Sequence, residues 1–263
     1  MPHTSRKKQP GQSKRLQITD DHGWTHISKA THRSKIQPRH SSSDEKLSPT
    51  TVPRGLTIRD VNTSFNRSLR IWMNSSCLKK LQDVIKDTIL TSNIKITSCV
   101  CLGLGSLTGG KFPETSFFEL AALVTILEFL GEKHEISTVY MQDPVFNLLD
   151  EEFLGSLGFI VVPSPGGFTK IDETTFLFAP HLEWPVYNTA LQNTSPGLCI
   201  GNDIQEYIDN PLKTASVETK TVFQAFVERY QAIAMPDFDR SSWCESTKIY
   251  WRRPRDDDDA DPP

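Results

Sequence analysis

The chain has 263 residues, 37% hydrophobic and 23% charged, which is enough apolar material for one sizeable core and not for two independent ones. Its formal charge is −3, yet the first 40 residues hold nine Lys or Arg against Asp20 and Asp21, so that segment is +7 and the remainder −10. Apolar runs stay short of the roughly 18 residues a membrane-spanning helix needs, and MPHTSRKKQPGQSKR has no apolar stretch, so membrane insertion and secretion are not expected and a cytoplasmic, also nuclear, location is.

Residues 1–55 are rich in Ser, Thr, Gln, His and basic side chains. Such a segment cannot bury enough apolar surface to offset its ordering entropy, so it reads as a disordered basic tail. Inside it, Trp24 and Ile27 stand out among polar neighbours, which marks a short docking segment with Trp24 as its contact, on the chain's own core or on a protein partner. Arg6-Lys7-Lys8 with Lys14-Arg15 reads as a solvated run, an import signal or a weak phosphate-binding arm; a nucleic-acid partner is not expected. Residues 251–263, ending RRPRDDDDADPP, read as an acidic tail. The five cysteines are odd in number and lack CxxC spacing, which argues against a disulfide framework and a zinc ribbon and for buried reduced thiols.

Residues 56–250 read as one α/β domain. From about Asn66 to Leu90, Cys77, Leu81, Val84, Ile85 and Ile89 share one face opposite Lys79, Lys80, Asp83 and Lys86, the period of a single amphipathic helix. Five short apolar runs follow, Ile96–Leu104, Val139–Met141, Phe159–Pro163, Thr174–Ala179 and Gly197–Gly201. Runs apolar throughout are what a parallel sheet covered on both faces requires. FFELAALVTILEFLG should be a deeply buried crossover helix, with Ser116 and Glu119 as a capping box at its start and Gly131 as its stop. VFQAFVERYQAI, with Phe223, Phe226, Val227 and Tyr230, should be a last covering helix. The fold class is therefore α/β, a three-layer Rossmann-like open sheet, mostly parallel, with helices on both faces and disordered tails.

In such a sheet ligands bind beyond the carboxyl ends of the strands, where loops diverge and helix N-termini point inward. Those positions hold Gly103, Gly105 and Ser106 after the first strand, Asp143 after the second, His181 after the fourth and Gly201 and Asn202 after the fifth; Tyr187 follows closely on His181. The glycines resemble a nucleotide- or S-adenosylmethionine-binding turn, but Thr108 stands where GxGxxG has its third glycine. Asp143 reads two ways: a carboxylate for ribose hydroxyls, or the N-cap of VFNLLDEEFLGSLG with Pro144 at the first helical position. His181 is a general acid or base or a histidine satisfied by backbone; its grouping with Glu183 and Asp143 has no metal-binding spacing, and no metal site is expected. Cys99, Cys101 and Cys199 lie in strand-like runs and read as core. No GxSxG, HExxH or P-loop is present, and no cofactor is indicated.

Taken in order, Gly103 and Gly105, Asp143-Pro144, Leu157-Gly158, Pro180-His181, Tyr187-Asn188 and Gly201-Asn202 resemble the Sensitivity to Red Light Reduced domain family over about residues 96–208. Thr247–Trp251 and Gly23-Trp24-Thr25 are similar to segments of its fungal members. The chain departs from the family's pattern at Leu182, Asp203 and Glu119, where Cys, Ser and Gln are usual. The resemblance implies a regulatory role, in plants tied to light signalling and the circadian clock, in animals and fungi to haem metabolism, stress or microtubules, and it implies no particular reaction. Two functions stay open: a regulatory or scaffold protein with protein partners, and a small-molecule-binding or methyltransferase-like domain built on the strand-end residues.

Overall fold

The computed structural model describes residues 15–19, 25–29, 47–110, 113–192, 194–210 and 217–253. Two compact units are separate in it, residues 1–46 and 47–263. In the first, β1 (Arg15–Thr19) pairs antiparallel with β2 (Thr25–Lys29), Arg15 opposite Lys29 and Thr19 opposite Thr25. Trp24, the basic residues Arg6, Lys7, Lys8 and Lys14, and the acidic stretch 254–263 lie outside the described residues.

The second unit begins at Leu47, so residues 47–55, read in the sequence as the end of the tail, belong with the domain. In chain order it contains α1 (Ile58–Met73), α2 (Ser76–Thr88), β3 (Ser98–Leu102), α3 (Pro113–Leu130), β4 (Thr138–Gln142), α4 (Leu148–Ser156), β5 (Ile160–Val161), β6 (Thr175–Ala179), α5 (Trp184–Leu191), β7 (Leu198–Asn202), α6 (Ile204–Asp209), α7 (Val217–Arg229), β8 (Tyr230–Ala234) and β9 (Thr247–Arg252). The sheet order is β5-β4-β3-β6-β7-β9-β8. Neighbours among β3 to β7 are parallel, and β9 runs antiparallel to both β7 and β8. The order reverses between β3 and β6, which places the topological switch point where Gly103 and His181 follow their strands.

The pleat explains why the strands are apolar throughout. Cys99 and Cys101 turn to a core shared with α1 to α4, while Val100 and Leu102 turn to a second core shared with α5, α6 and α7. Helix α3 is buried on nearly every side for the same reason. Among the described residues no helix is long and apolar enough to cross a membrane.

Three expected boundaries move. The helix read from Asn66 to Leu90 is two helices: Asn74 donates its side-chain amide to the Arg70 carbonyl and closes α1, and the Ser75 hydroxyl accepts from Leu78 N–H and opens α2. Helix α3 starts at Pro113, so Ser116 and Glu119 are interior positions and not a capping box. The last covering helix stops at Arg229. Tyr230 to Ala234 leave the helical pattern to pair with β9, where β-ladder bonds and the Tyr230 hydroxyl on the Pro196 carbonyl outweigh helix periodicity.

Candidate functional site

The loop after β3 is built around close approaches. Gly103 has φ +73°, and a Cβ there would lie 2.1 Å from Leu182 Cδ2, so only glycine lets this turn pass beside the end of β6. Gly105 has φ +79° and sits against the Ser116 hydroxyl of α3. Its N–H donates to Asp143 Oδ2 at 2.7 Å, and Asp143 Oδ1 accepts from Val145 N–H at 2.9 Å. Asp143 therefore ties the glycine turn to a turn at Pro144-Val145 and is not the N-cap of α4. That cap is Asn147, in a reciprocal capping box with Asp150.

Asp150, fully buried, is the hub of this end of the sheet. Its Oδ2 accepts from Ser106 Oγ at 2.6 Å and Asn147 N–H at 3.0 Å; its Oδ1 accepts from Thr108 Oγ1 at 2.9 Å and Leu107 N–H at 3.1 Å. Ser106 in turn accepts from Gly109 N–H, and Thr50 Oγ1 joins Ser106 to the segment before α1.

A second cluster closes the ends of β6 and β7. The buried Tyr187 hydroxyl donates to the Ala179 carbonyl and accepts from Asn202 N–H at 2.8 Å. Gly201 is glycine because a Cβ there would stand 2.0 Å from that hydroxyl. The Asn202 side chain accepts from His181 N–H at 2.6 Å and donates to the Leu182 carbonyl at 2.9 Å and Tyr207 Oη at 2.7 Å. His181 itself is exposed, at φ +57°, with Nε2 2.9 Å from the Trp243 carbonyl, a contact that puts its ring proton on Nε2. Asp203, a departure from the family's pattern, caps α6 through Gln205 N–H and pairs with Lys248 at 2.8 Å.

The eight strand-end residues thus fall into two sets, Gly103, Gly105, Ser106 and Asp143 in one and His181, Tyr187, Gly201 and Asn202 in the other. Leu182 packed on Gly103 joins them. Asp143, His181 and Glu183 do not converge: among the described residues no three metal-ligating side chains gather.

Electrostatics singles out one further residue. Glu119, one turn beyond Ser116 on the same side of α3, is 4% exposed. Burial, and then the Asp143 carboxylate, push its pKa well above the usual carboxylate range. Asp143 is raised by burial in spite of the N–H bonds from Val145 and Gly105. Sequence reading placed Glu119 at a helix cap and passed over Asp150, Thr50, Tyr207 and Trp243. Asn147 and Asp150 stand at capping-box spacing, the one available signal for the hub.

Two solved structures resemble this chain in outline. The plantazolicin methyltransferase BpumL in complex with SAH is 8% identical with a TM-score of 0.34, over 73% of this chain and 88% of its own. Protein 1320 of Thermoplasma acidophilum is 14% identical with a TM-score of 0.34, over 71% of this chain and 94% of its own. Among protein families, the model of the SRR1 domain matches residues 77–252, from the start of α2 to the end of β9, a wider span than the 96–208 legible in the motifs. The chain belongs to the SRR1, or Sensitivity to Red Light Reduced, domain family.

Proposed function

We propose that this chain is a regulatory protein whose α/β domain acts through protein partners in the cytoplasm and nucleus, in the circadian, stress or haem-related regulation that its family implies. The observation that carries the reading is what the strand-end side chains are committed to. Ser106, Asp143, Tyr187 and Asn202 direct their hydrogen bonds at backbone, at the side chains of Asp150 and Tyr207 and at one another, which leaves them little with which to hold a substrate or move a proton. Family membership supports the reading independently. In this proposal Trp24 is the docking contact of the N-terminal segment.

The test pairs stability with function. Asp143→Asn and His181→Ala are expected to lower cellular function only as far as they lower folding stability; loss of function at an unchanged melting temperature overturns the reading. Trp24→Ala is expected to weaken recovery of partners from cell extract, and unchanged recovery removes Trp24 from it.

A second reading, a small-molecule-binding or methyltransferase-like domain, is favoured by Glu119: a buried carboxyl beside the Asp143 carboxylate at the switch point, its charge disfavoured by burial, is a group that a ligand's donor would stabilise. It predicts a retained ligand that Glu119→Gln releases.

A further inference from the structure

The two edges of the seven-stranded sheet end differently. At one edge β5 is only 2 residues long, Ile160-Val161, and Pro163 and Pro165 follow it closely. Shortness and proline are ordinary ways of keeping an edge from recruiting another strand. At the other edge β8 has neither. Tyr230–Ala234 is 5 residues long, uncharged and free of proline, and Gln231, Ala232, Ile233 and Ala234 are all exposed.

Two bonds fix which way the β8 backbone faces. Arg253 N–H donates to the Arg229 carbonyl at 3.0 Å and Met235 N–H to the Thr247 carbonyl at 2.9 Å, so in the β8–β9 register the odd-numbered residues of β8 turn their N–H and C=O groups to β9. Those of Ala232 and Ala234 turn outward, to an edge where no further strand pairs among the described residues. The neighbouring outward positions are already committed. The Tyr230 carbonyl accepts from Arg253 Nε at 3.2 Å, and Pro236 has no N–H while its carbonyl accepts from the Cys77 thiol at 3.1 Å. The open backbone is thus confined to two alanines, whose small side chains leave it accessible.

We propose that β8 is a self-association surface, on which a second copy of the chain pairs its own β8 antiparallel about a two-fold axis beside Ile233. In that register each Ala232 lies opposite Ala234 of the other copy, and the two exchange N–H···O=C bonds in both directions, so every open group finds a partner. Neighbouring registers do not achieve this. An axis at Ala232 aims Ala234 N–H at the occupied Tyr230 carbonyl, and an axis at Ala234 sets the Ala232 carbonyl against Pro236, which has no N–H to give. The axis at Ile233 also brings the two Ile233 side chains, 39% exposed in the single chain, together as a non-hydrogen-bonded pair with Cα atoms about 4.5 Å apart. They meet on the face where Ile249, opposite Ile233 in β9, belongs to the core shared with α1 to α4. Just beyond the ladder, the same register turns the exposed Arg229 of each copy toward the exposed Asp237 of the other, so opposite charges meet where like charges would repel. This self-complementarity is what selects a second copy as the occupant.

A single strand pair is a small interface, so the dimer is expected to dissociate at about 10–100 µM. Sedimentation velocity of the full chain from about 1 to 200 µM should show a monomer passing to a dimer, and a monomer throughout overturns the proposal. Ala232→Pro removes only an outward N–H and keeps the β8–β9 bonds, so it should give a folded monomer. Asp237→Arg should weaken the dimer roughly tenfold by setting Arg against Arg, and adding Arg229→Asp should restore it. Ile233→Cys should cross-link to its counterpart under mild oxidation, whereas Gln231→Cys, which faces Met235 across the axis, should not. If Ala232→Pro lowers the melting temperature of the dilute chain, the charge swap and the cross-link decide. A dimer that forms without the Ile233→Cys cross-link, or that the charge swap fails to restore, is built on another surface and overturns the proposal.

Discussion

Ser106 and Asp150 lie 44 positions apart in the chain, and the serine hydroxyl donates to the aspartate carboxylate at 2.6 Å. Through this bond the glycine turn after β3 is fastened to the first turn of α4, the helix that follows the neighbouring strand. The fastening gives the switch point its shape, and it is made of charge-assisted hydrogen bonds in a region closed to water.

Removing the hub should be costly. A buried donor left without a partner costs about 1–3 kcal/mol, and Asp150→Ala strands those of Ser106, Leu107, Thr108 and Asn147 together. With a loss of about 3 kcal/mol or more, the melting temperature should fall by roughly 6–12 °C in a domain of this size. Thermal unfolding followed by circular dichroism checks it, and a shift under a few degrees contradicts the role given to Asp150.

Glu119 gives stability a pH dependence with a definite sign. Its pKa in the folded protein lies well above the ordinary 4.5, first through burial and then through the Asp143 carboxylate. Above pH 4.5 the folded chain therefore holds a proton that the unfolded chain has released, and stability declines as pH rises toward the folded value. Asp143, raised from 3.8 by burial, acts in the same sense. Glu119→Gln keeps the shape without the charge: it should flatten the profile and be the more stable protein at neutral pH. Parallel profiles for the two proteins contradict this.

Gly201 and Tyr187 should behave as one unit. A Cβ at Gly201 would stand 2.0 Å from Tyr187 Oη and 3.0 Å from Cζ, so Gly201→Ala should cost about 1–3 kcal/mol through overpacking. Tyr187→Phe loses the bonds to Ala179 and Asn202, again about 1–3 kcal/mol. In the double variant the phenyl ring leaves room for the alanine, so the summed single effects should exceed the double effect by on the order of 1 kcal/mol in denaturant unfolding. Strict additivity contradicts the contact.

What the sequence made legible was set by periodicity. The five parallel strands, the buried α3 and the stop at Gly131 all follow from apolar runs and a glycine, and each stands where the pattern put it. Periodicity could not find the break at Asn74-Ser75, because α1 and α2 present apolar residues to the same core. Nor could it find β8, whose residues continue a helical pattern until pairing with β9 decides otherwise. At the site, the strand-end rule brought together the right residues and not their partners. Asp150 sits in the acidic run Asp150-Glu151-Glu152, which looks like a solvated helix face, yet it alone of the three is buried, since Ser106 and Thr108 reach it from 42 or more positions away. Glu119 was hidden by a capping-box spacing that the fold does not use.

The most direct test is native mass spectrometry of the full-length chain against its denatured mass, with Glu119→Gln beside the wild type. If the strand ends are architecture and the protein works through partners, both should fly at the bare polypeptide mass. A small molecule retained by the wild type and lost from Glu119→Gln, at equal melting temperatures, would contradict that claim and make the crevice beside Asp143 a ligand site.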